Sequence, residues 1–241
     1  MKILNIQVDD INLSTALDRV INAVNNKKAY RVVTPNPEII TQAQSDPVLA
    51  TILNSADLAI PDGAGLRLAG IKNTTPGVVL MRELIKLAAI NNWGIGLYGG
   101  RGNSAKLALA KLQAQHPNLK GWAMAAPELK IGEKLDAEYK KIISEIKQNN
   151  TKLVFIALGA PKQEYFMEGL SSSLLALHSS LVLMVVGGSF DEIAGSVRPA
   201  PAVVNKLGLK WLWRLVFQPW RITRQLRLIK FIYYNYFKTR F

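Results

Sequence analysis

Six apolar runs of strand length divide residues 1–195, at 2–8, 30–34, 57–61, 94–98, 153–158 and 181–186. Helical periodicity fits the stretches between and after them, at 14–26, 47–55, 79–91, 103–115, 136–149 and 161–176. A strand that is apolar at nearly every position is buried on both faces, and such strands run parallel when a crossover, normally a helix, returns the chain. The alternation therefore predicts an α/β domain with a Rossmann-like, mostly parallel sheet and helices on both faces. In such sheets ligands bind beyond the carboxyl ends of the strands. Residues that carry chemistry are expected just after the apolar runs.

The alternation stops near residue 196. No acidic residue follows Glu192 but ten basic ones do, so the tail carries ten of the thirteen net positive charges of the 241-residue chain. It also carries ten of the nineteen aromatic residues. We place the boundary there, with 1–195 as a catalytic α/β domain and 196–241 as a basic helical appendage, expected to be dispensable for forming the core. Within 202–217, Lys206, Lys210 and Arg214 share one helical face and Leu207, Trp211 and Leu215 the neighbouring one. Within 220–238, Ile222, Leu226, Ile229, Tyr233 and Tyr236 form a stripe, with Arg221, Arg224, Arg227 and Lys230 away from it. This is the pattern of a helix lying in a membrane interface; a helical hairpin packed on the domain with a solvated basic face would read the same way. No apolar stretch reaches the roughly 18 residues of a spanning helix, and MKILNIQVDD is expected to be neither a signal peptide nor an anchor. A hydrophobic content of 49% excludes a disordered chain. The absence of cysteine excludes a disulfide framework or thiolate metal site and fits a reducing compartment.

Polar clusters do follow the apolar runs. Thr34-Pro35-Asn36-Pro37-Glu38 is stiffened by two prolines, and Pro37-Glu38 suits a first helical turn. Asp62 stands at the end of an apolar run in Pro61-Asp62-Gly63-Ala64-Gly65, either as a chemical group or as a helix cap. Gly99-Gly100-Arg101-Gly102-Asn103 is a candidate nucleotide loop whose backbone N–H groups could meet an anion, with Asn103-Ser104 as a helix cap. Gly159-Ala160-Pro161-Lys162-Gln163-Glu164 places an amide and two charges at a helix start, and Gly187-Gly188-Ser189-Phe190-Asp191-Glu192 closes the set. Five clusters at strand ends are expected to converge on one cleft, which gives the set more weight than any member.

Other chemistries fit less well. Gly94, Gly96 and Gly99 spell G-x-G-x-x-G, but two of the glycines lie inside the run and no acid follows at about 20 residues, against a dinucleotide fingerprint. His116 and His178 are isolated, Asp9-Asp10 read as loop acids, and no Asp-x-Asp, P-loop or G-x-S-x-G occurs. No cofactor or metal is expected. A nucleic-acid-binding module built on the basic aromatic tail is a rival reading, disfavoured by acids such as Asp62 and Asp191 at the strand ends. A nicotinamide-dependent oxidoreductase is a second rival.

Taken together, Thr34-Pro35-Asn36-Pro37-Glu38, Pro61-Asp62-Gly63, Gly159-Ala160-Pro161-Lys162-Gln163-Glu164, Phe190-Asp191 with Ala194-Gly195, and Leu209-Lys210-Trp211-Leu212-Trp213-Arg214-Leu215 with Pro219-Trp220-Arg221 resemble the WecG/TagA/CpsF glycosyltransferases, family 26, over nearly the whole chain. The resemblance implies a GT-E type fold and transfer, with inversion and without a metal, of N-acetylmannosamine, its uronic acid or a related amino sugar from a UDP-sugar. The implied acceptor is a polyprenyl-diphosphate-linked sugar, in wall teichoic acid or other surface polysaccharide synthesis. It further implies Asp62 as the general base, with Thr34 and Asn36 near the acceptor; for useful basicity, partial burial is expected to raise the pKa of the Asp62 carboxyl. Gly99, Gly100, Gln163 and Asp191 are the expected substrate-binding residues of the domain, and Arg214, Arg221 and Arg224 the expected diphosphate ligands of the tail. A peripheral position at the cytoplasmic face of the cell membrane follows from the same resemblance; nucleic acid is not an expected partner, and a homo-oligomer is left open. The sequence departs from the family pattern at Val79, where an acid is common, and at Lys210 and Pro199.

Overall fold

The computed structural model describes residues 1–26, 29–133, 135–174, 181–197, 201, 204, 210–217 and 222–238. Its centre is a parallel sheet of strands β3 (Tyr30–Val33), β4 (Leu58–Ala59), β5 (Gly94–Gly99), β6 (Gly121–Met124), β7 (Thr151–Ala157) and β8 (Val182–Val185), in the spatial order β4-β3-β8-β7-β5-β6. Five of the six expected strands are present in it, and β5, β7 and β8 are buried along almost their whole length. Helices α1 (Leu13–Asn25), α2 (Pro37–Ala43), α3 (Pro47–Asn54), α4 (Gly77–Ile90), α5 (Ser104–Gln115), α6 (Asp136–Gln148), α7 (Lys162–Leu174) and α8 (Ser189–Ala194) provide the crossovers and flank the sheet. Two apolar cores result. One packs Val20, Leu80, Leu84 and Phe190 against Val32, Leu97 and Phe155. The other packs Ile40, Leu53, Phe166 and Leu170 against Val33, Val154 and Val185.

The strands differ from the sequence reading at two places. The run 2–8 is not a sheet strand: Leu4 and Asn5 take left-handed φ values of 47° and 65°, so it folds into the two-stranded antiparallel hairpin β1 (Lys2–Ile3) and β2 (Ile6–Gln7). Strand β6 is an addition. It pairs only with β5, at the sheet edge, where Gly96 leaves room for the Trp122 indole: a methyl at 96 would lie 2.3 Å from the ring. Gly94 and Gly96 therefore serve sheet packing. Asp9 and Asp10 act as loop acids. Asp9 accepts from the Ala59 N–H at 2.8 Å, and Asp10 from the N–H groups of Lys72 and Asn73, bonds that hold its carboxyl below the usual carboxylate range. Asn103 precedes α5 but makes no side-chain cap, because its backbone (φ −92°, ψ 12°) lacks the extended geometry a capping side chain needs.

The tail contains α9 (Lys210–Phe217) and α10 (Ile222–Tyr233), followed by a wide turn at Tyr234–Lys238. Helix α10 lies on α2. Phe231 is completely buried in the second core, and Leu228 reaches the surface around Pro37 and Gly65. The expectation that the core forms without the tail therefore meets a tail side chain inside that core. Arg227, expected among the solvated bases, turns inward to Glu38 at 3.0 Å and Gln42 at 3.1 Å. The apolar stripe faces outward instead: Leu226, Ile229, Tyr233 and Tyr236 are all exposed. The expected helical residues Lys206 and Leu207 lie outside the described residues, as does His178.

Candidate active site

Because the strands of the main sheet are parallel, their carboxyl ends share one edge, and the segments leaving them wall a cleft of about 840 Å³. Thr34, Asn36 and Glu38 follow β3, Asp62 and Gly63 follow β4, and Gly100 and Arg101 follow β5. Gly159, Lys162, Gln163 and Glu164 follow β7, and Gly187, Gly188, Ser189, Asp191 and Glu192 follow β8. All five expected clusters thus meet. Residues 126–129, after the unforeseen β6, join them.

Asp62 is half-buried in this wall. Its backbone N–H donates to the Pro35 carbonyl at 2.9 Å, which stitches the second cluster to the first. The following 3-10 turn, Ala64–Ala69, starts from Gly63, one residue after Asp62. Helix α4 begins at Gly77, where a methyl would stand 3.0 Å from Thr34 Cγ2 and 3.7 Å from Asp62 Oδ2. A residue without a side chain lets the start of α4 close over this pair. Asn36 is both a wall residue and a structural one, since its Oδ1 caps α2 by accepting from the Ile39 N–H at 3.0 Å.

Gly99 and Gly100 have φ of 100° and 78°, a left-handed path that glycine adopts without strain. The path turns the chain out of β5, and the Gly100 N–H donates to the Ala157 carbonyl at 2.8 Å. Gly100 borders the cleft. Gly99 does not: it is the buried last residue of β5, behind the wall. Asp191 draws the third and fifth clusters together by accepting from the Arg101 N–H at 3.4 Å.

Gln163 is buried. Its Oε1 accepts from the Gly187 N–H at 3.0 Å and its Nε2 donates to Glu164 Oε1 at 2.9 Å. Glu164 is only 2% exposed, and its Oε2 has no hydrogen-bond partner among the described residues. Burial pushes its carboxyl up to about 8, helped by the charge of Glu38 and opposed by the Gln163 bond.

Sequence reasoning did not single out Arg67 and Arg82, although Arg101 and Lys162 belong to clusters it named. Arg67, from the 3-10 turn, and Arg82, on α4, line the cleft with Arg101 and Lys162, and all four are exposed. Buried and half-buried acids (Glu38, Asp62, Glu164, Asp191 and Glu192) thus share the cleft with these exposed cations and with the exposed Glu128. Val79 also borders the cleft and is exposed at 37%. Arg221 lies outside the described residues, and so do the side chains of Arg214 and Arg224, whose backbones belong to α9 and α10.

Comparison with known proteins matches this arrangement to one family. Over 236 residues the chain is 29% identical to the N-acetylglucosaminyldiphosphoundecaprenol N-acetyl-beta-D-mannosaminyltransferase of Bacillus subtilis (strain 168), covering 94% of this chain and 87% of the relative. It is 26% identical over 246 residues to the protein of the same name from Staphylococcus aureus (strain NCTC 8325 / PS 47), covering 99% of this chain and 92% of the relative. The model of the glycosyl transferase WecG/TagA/CpsF family matches residues 1–241, and with its strand-end cleft and basic tail this chain belongs to that family of glycosyltransferases.

Proposed function

We propose that the enzyme transfers N-acetylmannosamine, or a closely related amino sugar, from UDP to a polyprenyl-diphosphate-linked N-acetylglucosamine, with inversion, at the cytoplasmic face of the cell membrane. The names of the relatives supply the sugar and acceptor class. The observation that carries the reading is the cleft itself, where the Asp62 carboxylate stands beside Thr34 beneath a cationic rim. In a single displacement Asp62 takes the proton of the acceptor hydroxyl. The hydroxyl oxygen bonds to the anomeric carbon as the bond from that carbon to the UDP oxygen breaks, so the configuration inverts. The charge that develops on the departing diphosphate is held by rim groups such as Arg67, Arg82 and Lys162, and by backbone N–H groups at the start of α5.

With that division of labour the leaving group is stabilised by cations of the protein. Transfer by the purified enzyme should therefore persist in excess EDTA at its untreated rate. A loss that Mn²⁺ or Mg²⁺ restores would contradict it.

In the same proposal residues 1–195 hold the chemistry and 196–241 bring it to the lipid, with Arg214, Arg221 and Arg224 reaching the acceptor diphosphate in the bidentate manner open to arginine. Among the described residues no helix is long and apolar enough to cross a membrane. The outward stripe of α10 and the exposed Leu212, Val216 and Phe217 of α9 suit an interfacial position. Leu226 and Ile229 are 59% and 65% exposed. Burying such a side chain contributes about 1.5–3 kcal/mol. Replacing both by Ser should weaken binding to anionic vesicles at least about tenfold while leaving thermal unfolding unchanged. High salt should weaken the wild type as well, by screening the basic face. Unaltered vesicle binding by the double variant would remove α10 from the membrane contact.

A further inference from the structure

Glu38 is an acid in the wall of a cleft that the proposed reaction fills with a diphosphate. It stands in the first turn of α2, two residues after the cap Asn36, where a carboxylate favours the start of a helix. The same charge opposes an anionic ligand, and it is felt as far as Glu164 at the start of α7. The tail answers it. Arg227 Nη1 of α10 donates to Glu38 Oε1 at 3.0 Å and to Gln42 Oε1, one turn further along α2, at 3.1 Å. The backbone of Arg227 is held as well, its carbonyl accepting from the Thr41 hydroxyl at 3.2 Å. Phe231, one turn on, is buried in the second core, so the guanidinium is fixed over this face of α2.

Folding stability does not account for the pair. The Arg227 and Glu38 side chains are 41% and 21% exposed, and ion pairs that solvent reaches contribute little to folding. Its effect lies in the field of the cleft, where Asp62 and Asp191 already stand and each further uncompensated negative charge repels an anionic ligand. Resting on the proposed sugar transfer, we infer that Arg227 is a positioning residue that acts through Glu38. By pairing with this wall acid, the tail cancels a charge that would repel the diphosphate of the UDP-sugar. Arg227 does not itself line the cleft, which separates this role from that of a diphosphate ligand.

Two consequences distinguish charge compensation from a mere brace between tail and domain. If Arg227 matters because it cancels Glu38, removing the Glu38 charge makes Arg227 dispensable for binding. A brace that has lost one half is not restored by losing the other. A charge effect is also screened by salt, so the difference between variants shrinks as ionic strength rises, whereas a displaced helix stays displaced.

The test is equilibrium binding of UDP to the full-length protein, at low and high salt. Arg227→Gln should bind UDP about tenfold more weakly than wild type at low salt, with the gap narrowing at high salt. Arg227→Lys, which keeps the charge, should stay within about threefold of wild type. Glu38→Gln, which leaves the Arg227 charge unmatched, should bind UDP about threefold or more tightly than wild type. The double variant Arg227→Gln with Glu38→Gln should return to within about threefold of wild type. In sugar transfer the loss in Arg227→Gln should fall on KM for the UDP-sugar, with kcat little changed. An Arg227→Gln protein that binds UDP as wild type does, or a double variant as weak as Arg227→Gln, overturns the inference and leaves the sugar transfer standing. Should Arg227→Gln fail to fold, Glu38→Gln decides alone, and UDP binding no tighter than wild type overturns the inference. A wild type that binds no UDP overturns both.

Discussion

Asp62→Asn should bind the UDP-sugar as the wild type does and turn it over about 10²–10⁴-fold more slowly, the usual contribution of a positioned general base. The amide fills the volume of the carboxylate but takes no proton from an acceptor hydroxyl. Its backbone bond to Pro35 and the approach of Gly77 do not depend on the charge, so the wall should keep its shape. The effect should fall on kcat, with KM for the donor nearly unchanged, because base catalysis acts in the transition state. Steady-state kinetics with the lipid-linked acceptor checks this, and turnover near the wild-type value would remove Asp62 from the chemistry.

Phe231→Ala should destabilise the whole protein by about 3–5 kcal/mol, the range for truncating a fully buried phenylalanine. Phe231 has no exposed surface and shares a core with Ile40, Leu53 and Phe166, so its loss opens a cavity where the tail meets the domain. Leu226→Ala, five residues earlier and on the outward face, should change stability by no more than about 0.5 kcal/mol. Denaturant unfolding of the two variants measures the contrast. A Phe231→Ala protein as stable as wild type would mean that α10 is held elsewhere than in the core. The same reasoning changes the expectation for a chain that ends near residue 195: it should form the sheet but with a weakened second core.

Much of this was legible because strands buried on both faces must be apolar almost throughout, as in Ile95–Tyr98, Leu153–Ala157 and Val182–Val185. The residues that leave a parallel strand must then turn, which is why prolines, glycines and small polar residues marked the cleft. Strand β6 gave no such signal: at the sheet edge only Trp122 of its four residues is buried. The run 2–8 was misread because nothing in its apolarity reveals the left-handed turn at Leu4 and Asn5. Arg67 and Arg82 come from helical surfaces, and only the fold decides which surface faces a cleft. Glu164 was visible as part of a motif, but its enclosure depends on packing from several elements. Gly99 was named beside Gly100 although the two differ in kind, one closing a buried strand and the other bordering the cleft.

The measurement that bears most directly on the account is product analysis. Full-length enzyme is incubated with UDP-N-acetylmannosamine and a polyprenyl-diphosphate-linked N-acetylglucosamine. The account predicts a lipid-linked disaccharide heavier by one N-acetylhexosamine residue, with UDP released in equal amount and the new linkage β, inverted from the α-linked donor. A product that keeps the α configuration, or release of UDP with no sugar joined to the lipid, would contradict single displacement onto that acceptor.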